Sequence, residues 1–264
     1  MRTTPLAVAA WLALCTVPAL AEDKPPSDWT LTGNAGLYSD YRFRGFTQTG
    51  YKPAFQGGFD LAHKSGLYAG NWNSNVEQGL YNGASLEMDF YGGYKGEVAG
   101  IGYDIGGYYY AYPGSGAQGT TKIDNGEVYV GASYGPFAAR YWYAVTDFFA
   151  LGKPPSASSD VDTKGSWYLD LNAAFDLGSG WGAQAHYGYQ KIRNGHQLFA
   201  IGQLFVDKDN VSDFKLGVTK DLAGWTLGAA VVGTSEKDLL RTAESGLTRA
   251  GGKTSAVVSL SRTF

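Results

Sequence analysis

The chain is constrained above all by an alternation of apolar and polar residues, with a period of two, that recurs along most of its length. From Trp29 the odd positions read Trp29, Leu31, Gly33, Ala35, Leu37, Ser39, Tyr41, Phe43; the even ones read Thr30, Thr32, Asn34, Gly36, Tyr38, Asp40, Arg42, Arg44. A period of two places one set on each face of a β-strand, whereas a helix would need apolar residues three and four apart. Phe55, Phe59 and Leu61 repeat the pattern, as do Leu86, Met88 and Phe90, then Ile101, Tyr103 and Ile105, then Val128, Val130 and Ala132. Runs beginning near Phe137, Trp167, Trp181, Phe214, Trp225 and Ala256 follow the same rule. One run, "GLYAGNWNS", is ambiguous: either Leu67 and Ala69 or Tyr68 and Trp72 form its apolar set. The total is twelve expected strands of about ten residues, the length of a tilted strand that crosses a bilayer.

The connections alternate in length. "HKSG", "KGEVAG", "YGP", "LGSG" and "DLAG" are short; 44–50, 76–83, 113–125, 151–165, 194–212 and 234–253 are long. Short turns at one end and long loops at the other are the plan of an outer-membrane barrel, with both chain ends on the short-turn, periplasmic side. The long loops, such as "GKPPSASSD" and "PGSGAQG", have the composition of solvated segments. The stretch 194–212 is an exception. Leu198, Phe199, Ile201, Leu204, Phe205 and Val206 make it too apolar for free solvation. It is expected to plug the lumen, to extend the strands or to meet another subunit.

Residues 1–21 read as a cleaved signal peptide: Arg2, an apolar run from Leu6 to Leu14, then Ala19-Leu20-Ala21. The barrel domain is therefore expected over 22–264. Cys15, the sole cysteine, lies in the signal, and Leu14 before it is a poor match to a lipid-attachment site. Beyond the signal no apolar run approaches the ~18 residues of a membrane helix. Removing Arg2 leaves 20 basic and 24 acidic residues, which argues against a nucleic-acid partner. Trp29, Phe137, Trp181, Trp225 and Phe264 lie in the apolar phase at the short-turn end, and Tyr41, Phe43, Tyr143 and Trp167 at the long-loop end. Two aromatic belts at the membrane–water boundaries are thus expected. The ending "SAVVSLSRTF", closing on Phe264, resembles the signal read by the barrel-assembly machinery; Arg262 there can snorkel to the interface.

The polar phase carries Asp40, Arg42, Arg44, Asp60, Glu87, Asp89, Asp104, Glu127, Arg140, Asp170, Asp176 and Lys215. A single arginine or lysine on the lipid face at mid-membrane costs about 2–4 kcal/mol. Twelve charges in one phase orient that phase towards the lumen. Glycines 36, 58, 102, 106, 182, 188, 217 and 228 share it and are expected to leave lumen space. Twelve strands lie between small filled barrels and wide porins, so a narrow pore is expected, or a lumen partly plugged by loops or by Tyr108, Tyr110 and Trp142. The excess of acids favours cations if they are ionised and unpaired. Arg42 and Arg44, facing Glu87, suggest a constriction of opposed charges; equally, these groups pair and stiffen the wall.

Enzyme chemistry finds little support. His63 lies at a turn and His186 points inward. His196 sits in a long loop within conceivable reach of Ser212, without a nucleophile-elbow motif. No HxH or CxxC spacing indicates a metal, no cofactor is implied, and "GSGAQG" lacks the Lys-Ser/Thr of a phosphate loop. The non-channel alternative is a closed structural or adhesion barrel whose long loops contact partners.

The segments "LTGNAGLYSDYRFRGFTQT", "PAFQGGFDLAHKSGLYAGNWNSNV" and "EMDFYGGYKG" resemble the TorF family of proteobacterial outer-membrane porins. The resemblance covers nearly all of 22–264 and is densest from Trp29 to Gly96. It implies a β-barrel porin in contact with outer-membrane lipid and lipopolysaccharide, passing small hydrophilic solutes, with no assigned substrate. Arg42, Arg44, Asn73, Asn75 and Asp89 fall inside its recurring segments, and no functional role is transferred with them.

Overall fold

The computed structural model describes residues 27–117, 121–153, 160–200, 202–244 and 247–264. The signal segment expected at 1–21 lies outside them, as does Ile201. The strands are β1 (Trp29–Tyr38), β2 (Arg42–Phe43), β3 (Phe46–Thr47), β4 (Ala54–His63), β5 (Leu67–Asn75), β6 (Leu86–Val98), β7 (Ile101–Ala111) and β8 (Asn125–Tyr134). They continue as β9 (Phe137–Ala144), β10 (Trp167–Gly178), β11 (Trp181–Lys191), β12 (Asn210–Leu222), β13 (Trp225–Thr234), β14 (Arg241–Glu244), β15 (Leu247–Ala250) and β16 (Ser255–Thr263). Twelve of them close into an antiparallel up-and-down barrel in which sequence neighbours are also sheet neighbours. The seam joins β1 to β16, from Asn34 opposite Thr263 to Tyr38 opposite Ser259. β2–β3 and β14–β15 are two small hairpins within the long loops.

The two ends of the barrel differ because their turns differ. Ala99–Gly100, Ser179–Gly180 and Ala223–Gly224 each form a two-residue turn with positive φ at both positions. That is the type I′ geometry, whose twist matches the strands it joins. The expected turn "KGEVAG" is shorter than its residues suggested, since β6 runs on to Val98.

The outer surface is apolar. Leu31, Phe55, Phe59, Ile105, Val130 and Leu216 all face outward, each more than half exposed. In water such a belt would be an aggregation surface; in a bilayer it is the ordinary exterior of a barrel. Rings mark its borders: Trp29, Phe137, Trp181, Trp225 and Phe264 at the short-turn end, Tyr109, Tyr143 and Tyr187 towards the other. The guanidinium of Arg262 lies 5.4 Å from the centre of the Trp225 ring, a cation–π contact at that border. The ambiguous run resolves with Leu67 outward and Tyr68 and Trp72 inside.

Two expectations are corrected. β1 stops at Tyr38, where its partner β4 begins at Ala54, so the alternation through Phe43 is not one strand. Tyr41 and Phe43 do not join an outer belt. Tyr41 is 9% exposed and packs on Trp72, while Phe43 packs edge-on against Tyr110 and Phe149. The apolar stretch 194–212 contains a short helix, α1 (Gly195–Ala200), and β12 extends into it only from Asn210. Its Leu198 and Leu204 are buried with Phe46, Phe148, Val161, Ile192 and Leu239, so the long loops pack on one another across the mouth.

Candidate functional site: the barrel lumen

Inside the barrel, β5 to β9 carry large inward residues and their wall is filled. Tyr91 stacks on Tyr108 at 5.0 Å, Tyr108 meets Tyr110 at 4.7 Å and Trp142 at 5.8 Å, and Trp142 meets Tyr129 at 4.6 Å. Glycines on neighbouring strands let these rings lie flat. Gly70 pairs with Tyr91 and Gly106 with Tyr129 in the ladder. A Cβ at Gly70 would stand 2.4 Å from the Tyr91 ring, and one at Gly106 2.4 Å from the Tyr129 hydroxyl. The expectation that inward glycines leave open lumen is therefore corrected at Gly106, and also at Gly188, where the Tyr168 hydroxyl occupies the space.

Phenols donate to the acids here, although one oxygen each of Asp60, Asp89 and Glu127 has no hydrogen-bond partner among the described residues. Tyr41 donates to Glu87 Oε1 at 2.7 Å and Tyr112 to Oε2 at 2.8 Å. Tyr108 donates to Asp89 at 3.0 Å, Tyr91 to Asp60 at 2.7 Å, and Tyr68 to Asp104 at 2.6 Å. Arg140 pairs with Asp104 while its guanidinium covers Tyr129 at 4.2 Å and Trp142 at 5.1 Å. Carboxylates can be buried here because hydroxyl and guanidinium donors replace water.

The segment 39–53 folds inward over the lumen and carries three predicted residues. Arg44 has φ of 46° and Gly45 of 81°, the left-handed corner of the β2–β3 hairpin. From that corner Arg44 reaches across the barrel: Nη2 donates to Glu127 Oε2 on β8 at 2.5 Å and Nη1 to Gln190 Oε1 on β11 at 2.6 Å. Its guanidinium lies over the Tyr168 ring at 4.3 Å. Arg42 binds Asp40 and Ser255 through its side chain, and the carbonyls of Gly45 and Lys253 at 2.9 and 3.1 Å. Asp40 also accepts from Thr47 and Thr49. The opposed pair at this level is thus Arg44 with Glu127; Glu87 is held by tyrosines instead.

Below the hairpin the lumen between β10 and β1 stays open, a cavity of about 520 Å³. Its wall includes Asn172, Gln184, His186, Lys215 and Ser259 among small residues such as Ala174, Gly228 and Ala230. His186 lies between two carboxylates, Asp170 at 3.0 Å and Asp213 at 2.8 Å, and Tyr168 donates to Asp213 at 2.9 Å. Asp176 is apart from these groups, exposed near the short-turn end with its carboxylate accepting the Gly178 N–H at 2.8 Å.

Sequence reasoning passed over Asp213, Tyr68, Tyr91, Tyr129 and Tyr168. Tyr91, Tyr129 and Tyr168 stood in the polar phase and Tyr68 in the ambiguous run, yet the glycine that each ring needs lies on another strand and appears only with the register. The loop histidine does not meet the serine considered for it. His196 binds Asp207 at 2.5 Å, while Ser212 Oγ lies 2.9 Å from the Tyr187 hydroxyl.

The closed barrel is similar to solved porin structures. The NanC porin superposes with a TM-score of 0.55 at 9% identity, covering 89% of this chain and 99% of that one. A KdgM porin solved in complex with disordered oligogalacturonate gives 0.50 at 7% identity, covering 89% and 98%. At these identities the likeness is one of fold. No curated protein matches the sequence. The profile of a family described as "Bacterial protein of unknown function (Gcw_chp)" matches residues 22–264, and the chain belongs to that family.

Proposed function

We propose that this protein is a non-enzymatic outer-membrane channel of the TorF porin type, through which small hydrophilic solutes diffuse passively. The observation that carries this reading is an apolar exterior around an interior that keeps a cavity of about 520 Å³ beside its filled half, with Asn172, Gln184, His186, Lys215 and Ser259 on its wall. In this reading the constriction is the β2–β3 hairpin, where Arg44 reaches across the lumen to Glu127 and Gln190. The porin likeness supports the channel reading at the level of fold. In this reading residues 1–21 direct export, β16 is the segment offered to the barrel-assembly machinery, and the apolar belt meets outer-membrane lipid and lipopolysaccharide.

Liposome swelling with sugars, amino acids and small anions measures permeation directly. Single-channel recording then tests the hairpin: Arg42→Ala/Arg44→Ala changes conductance and ion selectivity if it forms the constriction, and unchanged values of both remove it from that role. One observation favours a second reading. Phe46, Leu198, Leu204 and Leu239 are buried together over the mouth, as in a closed barrel with a structural or adhesive role. Absence of current at any voltage would favour that reading over the channel.

A further inference from the structure

From the open half of the lumen we infer a binding site for a small hydroxylated carboxylate, with Lys215 as the residue that holds its charge. The inference deepens the channel reading and rests on it for the route by which a solute arrives. Every other charged side chain on the cavity wall is already partnered. Arg42 is taken by Asp40, Ser255 and two carbonyls, Arg44 by Glu127 and Gln190, and Asp170 and Asp213 share His186. Lys215 alone among the described cavity-lining charges has neither an ion pair nor a hydrogen bond.

Its surroundings explain why it is free. Lys215 stands opposite His186 on β11 and Val232 on β13, with Gly217 two residues further along the same face. The nearest acid on its own strand, Asp213, is turned to His186 and Tyr168. An ammonium that is withdrawn from bulk water and lacks a counter-ion favours an anionic guest, because burial costs a charge far more when it is unpaired. The same cavity presents Gln56, Gln184 and Ser259, whose side chains have no hydrogen-bond partner among the described residues. Amides and a hydroxyl around one cation suit a ligand with several hydroxyls and a single negative charge. The rings of Tyr38 and Trp142 line the cavity too and offer faces for C–H groups. An acid-rich lumen is thus compatible with anion recognition, since its acids are occupied.

Calorimetric titration of the detergent-folded protein with sodium glucuronate, glucose and glucosamine tests the site, alongside bilayer currents. Wild type is expected to bind glucuronate in preference to the neutral and cationic sugars. Lys215→Gln should weaken that binding about tenfold, a loss of about 1.4 kcal/mol, and Lys215→Arg should recover most of it. Heat-modifiable migration in gels confirms that each variant is folded. Equal binding of glucuronate by wild type and Lys215→Gln, or no preference over glucose in wild type, overturns the site even if the protein conducts. Lys215-dependent binding in a protein that passes no current upholds the site and overturns the channel reading instead.

Discussion

The strands β5 to β9 and the strands from β10 round to β1 and β4 obey the same alternation and enclose different interiors. In the first arc Tyr68, Tyr91, Tyr108, Tyr129 and Trp142 close over the wall. In the second, Ala174, Gly228, Ala230 and Ser259 leave a cavity. Glycine is present on both sides, so glycine content does not distinguish them. What differs is the residue facing each glycine across the ladder. Gly106 faces Tyr129, whose ring covers it beside the Gly92 carbonyl, while Gly228 faces Ser259, of which only the small, rotatable hydroxyl comes close. The filled arc also pairs its charges internally, by phenols and by Arg44 and Arg140. The open arc retains an unpaired cation.

Three substitutions probe this contrast, and denaturant unfolding of the folded barrel in lipid vesicles measures them. Glu127→Ala leaves the Arg44 guanidinium, itself 7% exposed, buried without its carboxylate. The expected loss is about 3–5 kcal/mol; a loss below ~1 kcal/mol would mean that the hairpin relaxes freely and that the two arcs are equally adaptable. Gly106→Val inserts a Cβ 2.4 Å from the Tyr129 hydroxyl and 2.6 Å from the Gly92 carbonyl oxygen, which is backbone and cannot rotate away. It should cost about 1–3 kcal/mol. Gly228→Ala in the open arc meets only the Ser259 Oγ at 2.5 Å, which can rotate, and should change stability by no more than about 0.5 kcal/mol. If the two glycine variants prove equally costly, the division of the lumen into a filled and an open arc fails.

Much of the architecture was legible in the residues. Twelve alternating runs correspond to twelve barrel strands, and the uneven connections to the two unlike ends. The failure at Tyr41 and Phe43 is instructive. Alternation assigns a face only while the strand has neighbours on both sides. β1 loses β4 and β16 at Tyr38, and beyond it the same pattern belongs to a chain that folds back into the lumen. Tyr41 and Phe43 then follow the buried side, and Asp40 and Arg42 bind each other two residues apart. The candidate site was legible only in its parts. Inward charges could be named one by one, but Arg44 with Glu127 and His186 with Asp213 depend on strand register and on how a loop enters the barrel.

By itself the sequence determined the strand number, the turn end, the apolar exterior and the inward phase of the charges, because each depends on residues within a few positions of one another. Only the tertiary structure decided which charges neutralise each other, which glycines are covered by rings and where a cavity survives. Many of those outcomes join distant residues, 36 apart for Tyr68 with Asp104 and 211 apart for Arg42 with the Lys253 carbonyl. At such separations the closure of the barrel, not local pattern, selects the partner.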